Sequence, residues 1–241
     1  MLIIINCLFM IIYIPIIFCL VKYYKQTQRA LIWWNSRQFM RMYQQGEMIQ
    51  NGLLQESFVI RRNLEISLVN SSVSQQQQEQ YYLANIENVY HLLNEFSDYL
   101  LPAHIEDSLP LAIRHILVKW KSHIPELNLQ IELPNDLDDE SVYTRHVILI
   151  ILEDLLQIIL SSISQETSIS VSLKSRENFN ELMVKFSDLQ ILQQDNNSKL
   201  SELDYLRRVF ILFTLGKCFH QKNKNTEIWY FCWRSHKSCQ N

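Results

Sequence analysis

Apolar and polar positions divide the chain into two regimes, a long helical first half and a mixed second half. Residues 2–21 are uncharged and interrupted only by Asn6 and Pro15. At 1.5 Å per residue such a run just reaches across a bilayer, which predicts a single transmembrane helix at residues 1–24. No basic segment precedes it and no small-x-small site follows, so a cleaved leader fits less well. Residues 26–68 contain no proline and read as one long helix. Phe39, Met42, Ile49, Leu53 and Ile60 keep an apolar seam in heptad phase. Residues 71–80, with four consecutive glutamines, read as a turn or a solvated helix end. A second seam follows at Tyr82, Ile86, Val89, Leu93, Phe96 and Leu100, ended by Pro102. Two seamed helices joined by a short polar link predict a helical hairpin. One hairpin cannot cover both seams, so a homodimeric four-helix bundle is expected.

Beyond the hairpin, residues 109–122 predict an amphipathic helix. The periodicity then changes. Residues 128–133 alternate as a strand, and Val, Ile and Leu run almost unbroken through 142–160, as in a helix buried on more than one side. Residues 168–173 and 181–186 alternate again, linked by a turn at 177–180. Residues 200–215 predict a helix with Gly216 at its C′ position, before strands at 217–220 and 227–233. The expected class is α+β: a transmembrane helix, a helical region at 25–124 with its exit helix, an α/β sandwich at 125–235, and a tail at 236–241.

Charge adds a direction. Lys22, Lys25, Arg29, Arg37 and Arg41 all follow the apolar run, so the positive-inside rule places the body on the cytoplasmic or stromal side of a bacterial or plastid membrane. Abundant Ile, Asn and Gln suit an AT-rich genome, and a plastid or cyanobacterial source is expected. Tyr23, Tyr24, Trp33 and Trp34 fit a headgroup boundary, and the two tryptophans fit equally a helix packed on a partner. A net charge of −3, with both signs interspersed, leaves no footprint for nucleic acid. Two of five cysteines lie in the apolar run and an odd trio remains, which argues against a disulfide framework. Cys218, His220, Cys232, His236 and Cys239 do not follow a known zinc-site spacing, so no metal is expected.

Three stretches carry a resemblance: residues 47–65 (EMIQNGLLQESFVIRRNLE), 100–120 (LLPAHIEDSLPLAIRHILVKW) and 147–161 (VILIILEDLLQIILS). With the element order they resemble the core of a sensor histidine kinase, of the small-hairpin class found with LuxR-type regulators. That core joins a phosphoacceptor hairpin to an ATP domain of the gyrase and Hsp90 type. The resemblance implies a phosphoacceptor triplet at Leu54-Gln55-Glu56, where Gln55 replaces histidine and Glu56 holds the acid position. It places Glu153 and Gln157 at the magnesium-holding box, with Gln for Asn. Asp188 stands at the next box without its glycines, and Gly216 at the last glycine pair, with Lys217 replacing the second glycine. Glycine occurs only three times, at Gly46, Gly52 and Gly216, whereas phosphate loops need a backbone free to reach φ > 0. These departures imply no bound nucleotide cofactor and no catalysis. They leave a membrane-anchored, inactive relative that works by homodimerisation and by binding a histidine kinase or response regulator. A divergent nucleotide-binding kinase and a membrane-tethered assembly factor are the alternatives. Among the seven histidines, His91 beside the second seam is the one candidate for a displaced acceptor, and no acid follows it.

Overall fold

A computed structural model describes residues 2–69, 75–100, 104–135, 137, 140–161, 167–176, 178–187, 196–223 and 225–235. Within these, the side chains of 2–12, 48, 64, 67–69, 75–79, 81, 95, 98–100, 196 and 197 are not described. The chain forms two compact units, one of Met1–Asn35 with His104–Asn241, the other of Ser36–Ala103.

Helix α1 spans Leu2–Met48 and carries Pro15 within it. Among the described residues, no helix is long and apolar enough to cross a membrane. This corrects the expected anchor and, with it, the single-pass placement and sidedness of the body. The physical reason is continuity. Lys22, Lys25 and Arg29 follow the apolar residues 13–21 on the same helix, with no break between them. Residues 2–12 of that run lie outside the described side chains. The later part of α1 packs on protein instead. Ala30 is fully buried, Trp33 meets Tyr205 at 6.0 Å, and Trp34 meets Phe213 at 6.0 Å. Of the two readings of that tryptophan pair, helix packing is the observed one.

In the helical unit, α1 passes through a π-helical turn at Ile49–Leu53 into α2, Leu54–Val69, and α3 spans Gln75–Leu100. The glutamines from Gln75 onward are therefore helical, and residues 70–74 lie outside the described residues. A π turn holds one residue more than an α turn, advancing the phase by about 100°. The seam that is in heptad phase on paper is not uniformly buried. Phe39 and Met42 are exposed, whereas Ile49, Leu53 and Ile60 are half-buried. The hairpin closes tightly at this turn, where a Cβ on Gly52 would come within 3.1 Å of the Leu92 side chain. Tyr82 Oη donates to the Asn63 carbonyl at 3.0 Å and ties α3 to α2.

The second segment of the α/β unit opens with a turn at residues 104–107, where His104 takes a left-handed φ of 64°. Buried Arg145 donates through Nη1 to the carbonyls of Ile105 at 3.0 Å and Glu106 at 2.9 Å, fixing that turn. Ser108 caps α4, Leu109–His123, with Pro110 in the first turn, where its missing N–H costs nothing. Strand β1 (Asn128–Glu132) leads to α5 (Val142–Leu160), capped by Ser141. The hairpin β2 (Ser168–Arg176) and β3 (Phe179–Ser187) follows, then α6 (Asn196–Thr214), β4 (Lys217–Lys222) and β5 (Thr226–Arg234). The sheet order is β1-β2-β3-β5-β4, parallel only between β1 and β2. One parity of each central strand is buried: Leu182, Val184 and Phe186 on β3, Trp229, Phe231 and Trp233 on β5. These join α5, most of whose side chains are buried, which explains its nearly unbroken aliphatic sequence.

Candidate functional site

The positions implied by the resemblance fall in different settings. Gln55 is exposed and Glu56 half-buried in the first turn of α2, directly after the π turn. On α5, Glu153 is half-buried and Gln157 exposed; one helical turn apart, they share a face, while neighbouring Asp154 is fully buried. Asp188 lies outside the described residues. Gly216 has an architectural task. It does not adopt a positive φ; the left-handed residue at the end of α6 is Leu215, at φ 52°. A Cβ on Gly216 would collide with the Cys232 carbonyl, so glycine lets β4 leave α6 hard against β5. Thr214 Oγ1 accepts from the Gly216 amide at 3.1 Å and closes the turn. Gln55 and Glu56 belong to the helical unit, and Glu153, Gln157 and Gly216 to the α/β unit.

Two polar clusters absent from the sequence reading are built on the buried parity of β5. At its start, Glu227 is 2 % exposed, and its Oε1 accepts from Trp229 Nε1 at 3.0 Å and lies 3.1 Å from His220 Nε2. Its Oε2 stands 3.6 Å from Lys222 Nζ. The His220 ring stacks on Trp229 at 4.1 Å, since the two are paired in register across β4 and β5. Burial alone would raise the Glu227 carboxyl, but the bonds from His220 and Trp229 and the charges of Lys222 and His220 outweigh it and hold it below its ordinary value. Lys199, near the start of α6, donates to the Ile159 carbonyl at 3.3 Å. Its pKa is lowered by burial, with the Glu227 charge opposing and Lys222 adding to the shift.

At the other end of β5, Trp233 Nε1 donates to Glu140 Oε1 at 2.7 Å, and Asn180 Nδ2 donates to the same oxygen at 2.5 Å. Asn180 and Trp233 are register partners, so the carboxylate just before α5 is pinned to the β3–β5 ladder. The signal for both clusters lay in parity. Glu227 and Asn180 occupy positions that alternate with Trp229, Phe231, Leu182 and Val184, and are therefore polar residues on core-facing positions.

Of the cysteine and histidine set at the C-terminus, the described cysteines Cys218 and Cys232 lie on opposite faces of the sheet. Cys218 pairs with Phe231 on the buried face and Cys232 faces the other way, while His236 and Cys239 lie outside the described residues. Burial pushes the Cys218 thiol up to about 12, which keeps it protonated at neutral pH. Among the described residues, no group of three or more His, Cys, Asp or Glu is placed to hold a metal.

No family model matches the chain, and no curated protein matches it. Similar solved structures include histidine kinases. The histidine kinase AdeS of Acinetobacter baumannii is 12% identical over 76% of this chain and 96% of its own, with a TM-score of 0.42. The blue-light activated histidine kinase EL346 of Erythrobacter litoralis is 11% identical over 78% of this chain and 60% of its own, with a TM-score of 0.47. The histidine kinase ThkA, solved in complex with the response regulator TrrA, is 13% identical over 86% and 67%, with a TM-score of 0.45. Likeness at this level assigns no residue a role.

Proposed function

We propose that this is a histidine-kinase-like protein without phosphotransfer activity, which homodimerises through its hairpin and binds a kinase or response regulator as partner. The observation that carries the reading is Gln55, exposed on α2, at the position the resemblance gives to the phosphoacceptor. A side-chain amide has no nucleophilic nitrogen comparable to imidazole, so no phosphoramidate can form there. Gly216 supports the same reading, because its glycine is consumed in packing β4 against β5 and is not free to wrap a phosphate. Exposed Phe39, Met42, Ile86 and Leu93 support the second copy as the occupant of the hairpin face.

Titration calorimetry with ATP and Mg²⁺, together with labelled-ATP transfer under neutral and alkaline work-up, tests the loss of activity. No binding heat and no acid-labile phosphate are expected. One specific observation favours a divergent kinase: Glu153 and Gln157 still share a face of α5, and an amide oxygen can ligate a hard cation. Micromolar ATP binding abolished by Glu153→Ala would establish that alternative, and acid-labile phosphate lost in His91→Ala would overturn the inactive reading.

A further inference from the structure

A cavity of about 290 Å³ lies between α1 and α6 within the α/β unit. Helix α1 contributes the hydroxyl-bearing residues Tyr23 and Thr27, and α6 contributes Asp204, Arg207 and Arg208, with Ile211 and Leu212 completing the wall. The cations are not equivalent. Arg208 is committed to the framework: its Nε bonds Asp204 at 2.8 Å and its Nη2 donates to Gln26 Oε1 at 2.8 Å, joining the two helices. Asp204 is thereby neutralised. Arg207 is exposed and makes no hydrogen bond or ion pair among the described residues, so the lining keeps one uncompensated positive charge on a planar fork of donors.

We infer that this cavity binds a small organic anion, with a carboxylate or phosphate monoester head on Arg207 and an apolar body against Ile211 and Leu212. Guanidinium is suited to both heads, because its parallel N–H groups match two oxygens of either. The hydroxyls of Tyr23 and Thr27 add donors from the opposite helix. The volume is near the lower end for small-molecule sites and admits one ring or a short chain, not a nucleotide triphosphate. Arg208, Asp204 and Gln26 hold the walls at fixed spacing whether or not the ligand is present. The heads share one chemistry, and the body separates a metabolite from a bare ion.

The test uses the full chain and three probes: phenyl phosphate, benzoate and inorganic phosphate. Calorimetry and thermal unfolding should show one of the two aromatic anions binding more tightly than inorganic phosphate. Arg207→Ala should weaken that binding about tenfold or more, the scale of one charge-assisted contact. Arg207→Lys should recover part of it, and Thr27→Val should cost less than Arg207→Ala. Arg207 is exposed and unbonded, so its variants should unfold at the wild-type temperature without ligand. Three results would overturn the inference: silence with all three probes at millimolar concentration, binding indifferent to Arg207→Ala, or inorganic phosphate binding as tightly as the aromatic anions. The inference stands apart from the loss of phosphotransfer. ATP binding removed by Glu153→Ala bears on that reading alone, whereas anion binding removed by Arg207→Ala bears on the cavity.

Discussion

The sheet with its covering helices and the helical hairpin bury their apolar side chains to very different degrees. In the α/β unit, Phe186, Phe210 and Phe231 are at most 1 % exposed and sit among aliphatic residues of α5. In the helical unit, Phe39, Met42, Phe58, Leu83 and Tyr90 are all more than 60 % exposed. The same residue types thus do opposite things within one chain. A sheet covered by helices closes its own core, while a two-helix hairpin has one mutual face and leaves the remaining apolar positions wet. That difference locates where a second copy is proposed to enter.

The largest effect is expected from breaking the wet side. Ile86→Lys with Leu93→Lys places two charges on exposed seam positions and should convert a dimer into monomers in multi-angle light scattering, leaving secondary structure intact. Each large side chain buried in the dimer is worth roughly 1.5–3 kcal/mol, so two such losses in each of two copies are comparable with the whole binding free energy of an ordinary interface. An unchanged mass would show that these seams do not join copies.

On the dry side, Phe210→Ala should cost about 3–5 kcal/mol. Phe210 is fully buried and meets Phe231 edge-on at 5.0 Å. Urea unfolding should register the loss with the oligomeric mass unchanged. A loss under about 1 kcal/mol would mean that the core tolerates voids as loosely as a surface does.

The smallest effect concerns pH. The Glu227 carboxyl is held below its ordinary 4.5 in the folded chain, so its contribution is present above that value and is lost as pH falls through the folded value. Between about pH 5 and about pH 3 the wild type should therefore lose more stability than Glu227→Gln. Equal acid limbs would show that the His220–Trp229–Lys222 surround does not favour the ionised form.

What could be read from the sequence follows from the same contrast. Helix α5 occupies the residues its apolar run marks, because burial on several sides leaves a signal no strand or loop shares. Strands β2 and β3 extend beyond their predicted ends, and Asn180, read as turn, is a buried strand residue. Its polarity looked like loop chemistry because the partner that satisfies it, Glu140, is distant in sequence. Glu227 is satisfied by near neighbours, His220 and Trp229, and its signal is only its place in the core-facing alternation of β5. The membrane expectation failed because hydropathy weighs a run in isolation, whereas α1 carries charged residues and buried Ala30 on one continuous helix. Of the candidate site, the types at Gln55, Glu153, Gln157 and Gly216 were legible. The structural use of Gly216, fixed by the Cys232 carbonyl, was not.

The π turn at Ile49–Leu53 works as an offset coupling on a single shaft. Gln55 and Glu56 stand turned about the axis by one residue's step from where an unbroken α-helix would put them. Slipping that extra residue along the helix would swing α2's face around the axis without lengthening or breaking the rod.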